Sequence, residues 1–319
     1  DRPDGAFGPR TEEALKALQA LMEKKGLPGV QVTGIADKAT RDALTGDLSG
    51  LGIAAPAFFD DQFPQNLEPD YLYARSAILL EPGTGRVLFE KDADARMYPA
   101  STTKIMTLLI ALEKGELDRS VTLPQAAADV PKDSSLVPVY PGEKMSLRDL
   151  LYGLMIRSGN DAANAIAHIV SGSVPGFVEE MNRKAAQLGM KDTHFTNPHG
   201  YHNKEHYTTA RDLAALARYA MGNNAFLSIA ASLQHTLPPT ARREALVITS
   251  STELLQPGNP FYYSGAYGIK SGFTRAAGFC YVGAAGREQK QLLAVVLDCR
   301  TRNMAWDDMK RLFNYGFAQ

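Results

Sequence analysis

Residues 99–113 read Pro-Ala-Ser-Thr-Thr-Lys-Ile-Met-Thr-Leu-Leu-Ile-Ala-Leu-Glu. Apolar residues at Ile105, Leu108, Leu109 and Leu112 recur at helical spacing, so the stretch predicts a buried helix with Ser101 at its start. Positions three apart share a helix face, which sets the Lys104 ammonium beside the Ser101 hydroxyl. A serine hydroxyl is a poor nucleophile until a base removes its proton. Lysine serves as that base when burial and neighbouring cations depress its pKa. One Ser-x-x-Lys pair is expected about once by chance in a chain this long, so its meaning depends on what accompanies it.

Two further clusters accompany it. Residues 154–169, LMIRSGNDAANAIAHI, carry Ser158-Gly159-Asn160 at the start of an apolar helical stripe. A hydroxyl and an amide there serve either a site or a helix cap, since Ser and Asn are favoured at caps. Residues 267–280, YGIKSGFTRAAGFC, carry Lys270-Ser271-Gly272 on a strand. The glycine admits close approach of a ligand to the backbone, and the lysine and serine suit an anionic group. The competing reading is a solvent-facing edge strand protected by its lysine.

Around these clusters the chain divides. Residues 1–46 hold two short helical patterns, with DGAFGPRTEEAL (4–15) weakly echoed by TGIADKATRDAL (33–44). Residues 47–70 are rich in Gly, Pro, Phe and Asp and read as a linker whose apolar residues dock on a neighbour. From 71 to 319 a hairpin turning at Pro82–Gly85 leads into a helical middle, Ser101 to Met221. Strands AYGIKSG, AGFCYVGAAG and QLLAVVLDC follow, then a helix from Met304 to Tyr315. Strands at both ends around a helical middle predict an α+β domain: one antiparallel sheet flanked by helices, plus a helical lobe. The cleft between lobes is the natural site.

The 319 residues carry a net charge of -1, which gives no electrostatic footprint for nucleic acid. No apolar run approaches membrane-spanning length, and no membrane anchor is expected. A hairpin turn centred near Gln289-Lys290 sets Cys280 opposite Cys299. Those two are either a cross-strand disulfide or two small buried thiols.

The order S-x-x-K, S-x-N, K-S-G resembles the signature of penicillin-binding proteins and class A β-lactamases. Residues 71–319 resemble the low-molecular-weight D-alanyl-D-alanine carboxypeptidases of the S11 serine peptidase family. RVLFEKDADARMYPASTTKIMT (86–107), MNRKAAQLGMKDTHFTNPHGY (181–201) and HYTTARDLAALARYAM (206–221) carry that likeness beyond the motifs. The resemblance implies a β-lactamase/transpeptidase-like fold and removal of the terminal D-Ala of peptidoglycan stem peptides through an acyl-enzyme. It implies β-lactams as covalent inhibitors, no cofactor and no metal, and an exported location in periplasm or cell wall. Ser101 becomes the nucleophile, Lys104 the acylation base and Ser158 a proton relay. Asn160 would bind the substrate amide, and Lys270 and Ser271 its carboxylate. The N–H groups of Ser101 and Phe273, the residue after Gly272, would form the oxyanion hole. An arginine that many members carry before the last helix falls on Ala305, leaving Arg300 and Arg302 nearby. The opening segment resembles a small peptidoglycan-binding module through Asp4-Gly-Ala-Phe-Gly-Pro-Arg-Thr-Glu-Glu-Ala14, without the helix that usually precedes it.

Other readings stay open. A β-lactamase needs a further carboxylate, but no Glu-x-x-x-Asn stands between Asn160 and Lys270. A zinc site would draw on His194, His199, His202, Glu205 and His206. A D,D-endopeptidase cutting cross-links uses the same machinery, and a non-catalytic penicillin- or wall-binding protein shares the fold.

Overall fold

A computed structural model describes residues 9–27, 29–35, 37, 39–40 and 64–319. It divides into two compact units, residues 1–63 and 64–319. In the first, α1 spans Pro9–Lys24, and Met22 and Val30 are buried with Leu18 and Leu27 against them. The Gln19 side chain is fully buried. It accepts from Thr33 N and Gly34 N and donates to Ile35 O and Thr40 Oγ1. One amide thus joins the two sequence-related halves by using its full hydrogen-bonding capacity. The helix anticipated after Asp37 shows only at 39–40, where Asp37 Oδ1 accepts from Thr40 N; most of it, and most of the 47–70 segment, lies outside the described residues.

The second unit is built on five antiparallel strands in the order β2-β1-β9-β8-β7. These are β1 (Ser76–Leu80), β2 (Val87–Lys91), β7 (Ala266–Thr274), β8 (Gly278–Arg287) and β9 (Lys290–Cys299). The N- and C-terminal thirds therefore share one sheet, as the sequence pattern predicts. β1 is buried at every position because it lies inside the sheet with covered faces. β7 is an edge, and its free side is available to the cleft.

On one face packs the helical lobe. It comprises α2 (Lys104–Lys114), α3 (Leu147–Ile156), α4 (Asn160–Ser171), α5 (Val174–Gln187), α6 (Ala210–Ala220) and α7 (Asn224–Ala230). Two small hairpins, β3–β4 (Ser120–Thr122 and Lys144–Ser146) and β5–β6 (Gln234–Leu237 and Leu246–Thr249), complete it. Residues 104–111 of α2 are buried on every side, not along one stripe. The helix that carries the serine–lysine pair is thus the lobe's central post. On the other face α8 (Arg302–Ala318) covers a second core of Trp306, Met309, Leu312 and Phe313. Leu72 belongs to that core and Leu67, in the described end of the 47–70 segment, packs against it; the segment's other apolar residues lie outside the described residues.

Neither cysteine is in a disulfide and both are buried, so of the two readings the structure shows the pair of buried thiols. The β8–β9 loop is Glu288–Gln289, and a bulge between Phe279 and Tyr281 puts Phe279, not Cys280, opposite Cys299. Cys280 joins the lobe-side core and Cys299 the α8-side core. A one-residue shift in a strand turns a side chain to the other face, so the sheet stands between the two sulfurs.

Candidate active site

Ser101 lies in a 3-10 turn, Ala100–Thr103, that feeds directly into α2. Thr102 Oγ1 donates to Pro99 O at 2.7 Å and Thr103 Oγ1 to Ala100 O at 2.8 Å, fastening the turn from within. Ala100 holds φ 48°, a strained value for a residue with a Cβ. Its carbonyl abuts Gly200, and Thr103 Oγ1 is 2.8 Å from His206 Nε2. His206 Nδ1 accepts from Thr196 N at 3.0 Å, so the proton belongs on Nε2 and the ring donates to Thr103.

Lys104 is completely buried. Its three donors find three acceptors: Ser101 Oγ at 3.1 Å, Asn160 Oδ1 at 2.7 Å and His199 O at 2.7 Å. Burial, then the charge of Lys270, drives its pKa well below the usual lysine value, while Asp161 pulls the other way. An amine so placed can accept the Ser101 proton over one hydrogen bond. Lys270, 4% exposed, donates to Ser271 O, and burial lowers its pKa to about 7. That burial removes the solvated edge-lysine alternative for the third motif.

Gly272 brings β7 onto the Ser101 turn. A Cβ there would lie 2.7 Å from Ser101 N, 3.1 Å from Thr102 N and 3.1 Å from the Ala100 Cβ. Only a glycine allows this approach of two backbones.

Ser158 and Gly159 form the joint between α3 and α4, with Ser158 at φ 57°. The cap reading fails, because Gly159 is the N-cap of α4 and no side chain caps it. Asn160 is committed on both sides, to Lys104 and, through Nδ2, to Ser134 Oγ at 3.0 Å. Asp161, the next residue, accepts from Val137 N, Val139 N and Ala162 N and so fixes the 134–139 loop over the site.

Two cavities meet at Ser101. One, about 360 Å³, is lined by Ser158, Lys270, Ser271 and Arg302 together with Tyr281 and Trp306. The other, about 540 Å³, is lined by Asn160, Asp133, Tyr201, His202 and residues 273–276. Arg302 therefore reaches the cleft, and Arg300 is not among the lining residues. All eight sequence-selected residues thus gather at one cleft: Ser101, Lys104, Ser158, Asn160, Lys270, Ser271, Gly272 and Phe273.

The histidine-rich loop is spent otherwise. His199 and His206 are buried, and burial lowers both pKa values to about 3. His199 Nδ1 accepts from Tyr201 N, and its carbonyl receives Lys104. Among the described residues no three His, Cys, Asp or Glu side chains group as metal ligands. Sequence reasoning missed the supporting roles of Thr103, His206 and Asp161. Only adjacency to the motifs hinted at the first and last of these.

The model of the D-alanyl-D-alanine carboxypeptidase family, peptidase S11, matches residues 64–301. The chain belongs to that family. It is a serine-type D-Ala-D-Ala carboxypeptidase of the extracytoplasmic peptidoglycan, on the α+β transpeptidase fold. A peptidoglycan-binding domain model matches residues 1–44. The chain is 37% identical to the D-alanyl-D-alanine carboxypeptidase DacB2 of Mycobacterium tuberculosis, over 77% of this chain and 82% of that one. It is 31% identical to DacF of Bacillus subtilis, over 83% and 67%. Among solved structures, the Streptomyces K15 DD-transpeptidase matches with a TM-score of 0.72 at 34% identity, covering 78% of this chain and 98% of that one. Among the described residues no helix is long and apolar enough to cross a membrane.

Proposed function

We propose that Ser101 is the nucleophile of a carboxypeptidase that removes the terminal D-Ala from peptidoglycan stem peptides, with neutral Lys104 as its base. The observation that carries this is the 3.1 Å contact between Lys104 Nζ and Ser101 Oγ, in a fully buried setting beside Lys270. Lys104 takes the Ser101 proton as Oγ bonds to the carbonyl carbon of the penultimate D-Ala. The carbonyl oxygen becomes an oxyanion facing the N–H groups of Ser101 and Phe273, donors of a kind worth roughly 3–4 kcal/mol of barrier. The proton passes through Ser158 to the leaving nitrogen, the C–N bond breaks, and a seryl ester remains. Water then cleaves that ester and restores Ser101. Lys270, Ser271 and Arg302 receive the terminal carboxylate, Arg302 standing in for the guanidinium that position 305 lacks. Asn160 aligns Lys104 and the acyl-side amide. No metal or cofactor enters, β-lactams acylate the same serine, and the enzyme works in the periplasm or cell wall. Residues 1–46 act as a wall-binding module joined through 47–70 to the catalytic domain, 71–319.

A second reading has support in the solved relative described as a DD-transpeptidase: an amine in place of water would take the acyl group. A D,D-endopeptidase would instead open cross-linked dimers. Supplying pentapeptide, D,D-cross-linked dimer and an amine acceptor together separates the three. Release of D-Ala from the pentapeptide outpaces dimer cleavage and acceptor product on the present reading, and the reverse order overturns it. Intact-mass analysis after penicillin shows one adduct, absent from Ser101→Ala.

A further inference from the structure

A third cavity, about 470 Å³, lies outside the catalytic cleft, where the chain enters β1 and leaves β9. Arg75, Arg96, Tyr98, Lys204, Glu205 and Asp298 line it, and none of the eight site residues does. It nevertheless adjoins the acyl side of the cleft. Ala276 lines both cavities, and Tyr98, lining this one, packs edge-on at 4.7 Å against His202, lining the other. With the leaving carboxylate at Lys270, Ser271 and Arg302, as proposed above, the acyl half of a stem peptide runs the other way, past Thr274 and Ala276. Three extended residues reach about 10 Å, so the far end of the stem, where it joins the glycan strand, is delivered toward this third cavity.

The lining suits a neutral polyhydroxy ring. Arg75, Arg96 and Lys204 offer donors, Glu205 and Asp298 offer acceptors, and their charges nearly balance. Arg96 is fixed in place: Nε and Nη2 donate to Asp192 Oδ1 at 3.0 and 2.7 Å, and its guanidinium lies 4.6 Å over the Tyr207 ring. Asp298 is seated as well, at φ 56° in β9 and with Oδ1 against Gly278. A left-handed residue with a Cβ is the kind of local strain that gathers at ligand sites. Arg75 approaches Asp298 only at 3.9 Å, too far for a hydrogen bond. Among the described residues the Lys204 and Glu205 side chains make no ion pair or hydrogen bond, although the Glu205 backbone is held by Asn203 Oδ1 and His194 Nδ1. Tyr98 and Tyr207 add ring surface for the C–H faces of a sugar. The volume falls within the roughly 300–1,000 Å³ usual for a small-molecule site.

We infer that this cavity is a saccharide site, which holds a sugar of the glycan strand while that strand's stem peptide occupies the cleft. Arg75, Lys204 and Glu205 bond the sugar's hydroxyl and acetamide groups, and the fixed Arg96–Tyr207 pair forms the wall behind them. The inference rests on the Ser101 chemistry as proposed. It adds that the preferred substrate is a stem peptide still joined to its glycan.

The test compares D-Ala release by the full chain from an N-acetylated pentapeptide and from the same pentapeptide joined to its N-acetylated disaccharide. A few solvent-accessible hydrogen bonds predict roughly a tenfold advantage in kcat/KM for the sugar-bearing peptide. Arg75→Ala with Lys204→Ala, and Glu205→Ala separately, should each cut that advantage to about threefold or less, while the bare pentapeptide keeps its rate within about twofold. The advantage should persist from about 20 to about 500 mM salt, because hydroxyl groups carry no charge to screen. Equal kcat/KM for the two substrates overturns the site. So does an advantage unmoved by both variants, which would put the sugar on another surface such as the 1–46 module. A loss shared equally by both substrates also overturns it, since the variants would then act on the cleft or the fold. An advantage abolished by salt in the wild type overturns a saccharide ligand in favour of a carboxylate. Failure of both substrates to release D-Ala, with no penicillin adduct on Ser101, would instead overturn the catalytic reading.

Discussion

Gly200→Ala tests whether the strained turn before the nucleophile is held by packing from the histidine loop. Gly200 sits at φ +85°, and an added Cβ would fall 1.8 Å from Ala100 O and 2.9 Å from Thr103 Oγ1. Ordinary contact begins near 3.4 Å, so the two backbones must separate by more than an ångström. The left-handed backbone adds about 1–2 kcal/mol for a residue with a Cβ. Overpacking against main chain adds about 1–3 kcal/mol. A total of about 2–5 kcal/mol lowers the melting temperature by roughly 5–15 °C in a domain of this size. The chemical effect should exceed that of stability alone. Displacing Ala100 carries Ser101 with it, and about 1 Å of misplacement costs on the order of 100-fold in rate. The assay is the second-order rate of acylation by a fluorescent penicillin at 20 °C, beside a thermal melt of the same sample. Gly189→Ala is the control, with φ +72° but nothing within 4 Å of the new Cβ. It should lose stability and keep its acylation rate. An acylation rate for Gly200→Ala within about threefold of wild type would refute the argument that this contact positions the nucleophile.

Lys104→Met should slow acylation by about 10²–10⁴ while leaving noncovalent binding of substrate analogues nearly intact; a near-normal stopped-flow acylation rate would end its role as base. The alkaline limb of kcat/KM should fall near pH 7, where free-enzyme Lys270 loses its charge, and the limb of kcat should lie higher because a bound carboxylate holds that proton. Coincident limbs would remove Lys270 from carboxylate binding. His206, neutral in the fold down to about pH 3, is protonated in the unfolded chain below about 6.5, so its stability contribution is present above 6.5 and lost as pH falls. His206→Gln should flatten the urea-derived stability slope between pH 6 and 4 by about 1.4 kcal/mol per pH unit relative to wild type, whereas Asp308, raised to about 6, slopes the opposite way in both proteins. Parallel slopes would show that His206 does not stay neutral in the fold.

The motifs were legible because each pairs a chemical group with a periodicity. Ser101 and Lys104 stand one helical turn apart, and Lys270-Ser271-Gly272 lies in an alternating strand. The sheet's composition was legible for a similar reason, since apolar strands flank a helical middle. The cysteine pairing was not. One bulge at Phe279/Tyr281 and a one-residue shift of the hairpin loop decide which face each sulfur takes. Neither has a strong local signature, as Glu288 rather than glycine takes φ 53° in the loop. The brace behind the nucleophile was hidden for a different reason. Thr103 is about a hundred residues from Gly200 and His206 in sequence and meets them only because α2 is buried against the loop.

That burial also explains why one site keeps two lysines out of water. An ammonium in the interior costs several kcal/mol unless its donors are matched. Lys104 has a match for each of its three, and Lys270 has the Ser271 carbonyl. The two charges nevertheless repel, so the pair sheds a proton more readily than either would alone. Repulsion from Lys270 and full burial make Lys104 the one that yields, which leaves a neutral amine on Ser101 and a cation beside Ser271. On the proposed reading, a substrate carboxylate at Ser271 and Arg302 would stabilise the Lys270 charge, and that charge would in turn keep Lys104 neutral. The proposed mechanism therefore links substrate recognition and activation of Ser101 through one electrostatic coupling. The second and third motifs must close on the first for that coupling to exist, which is why Gly272 and Asn160 both reach the turn that carries Ser101 and Lys104.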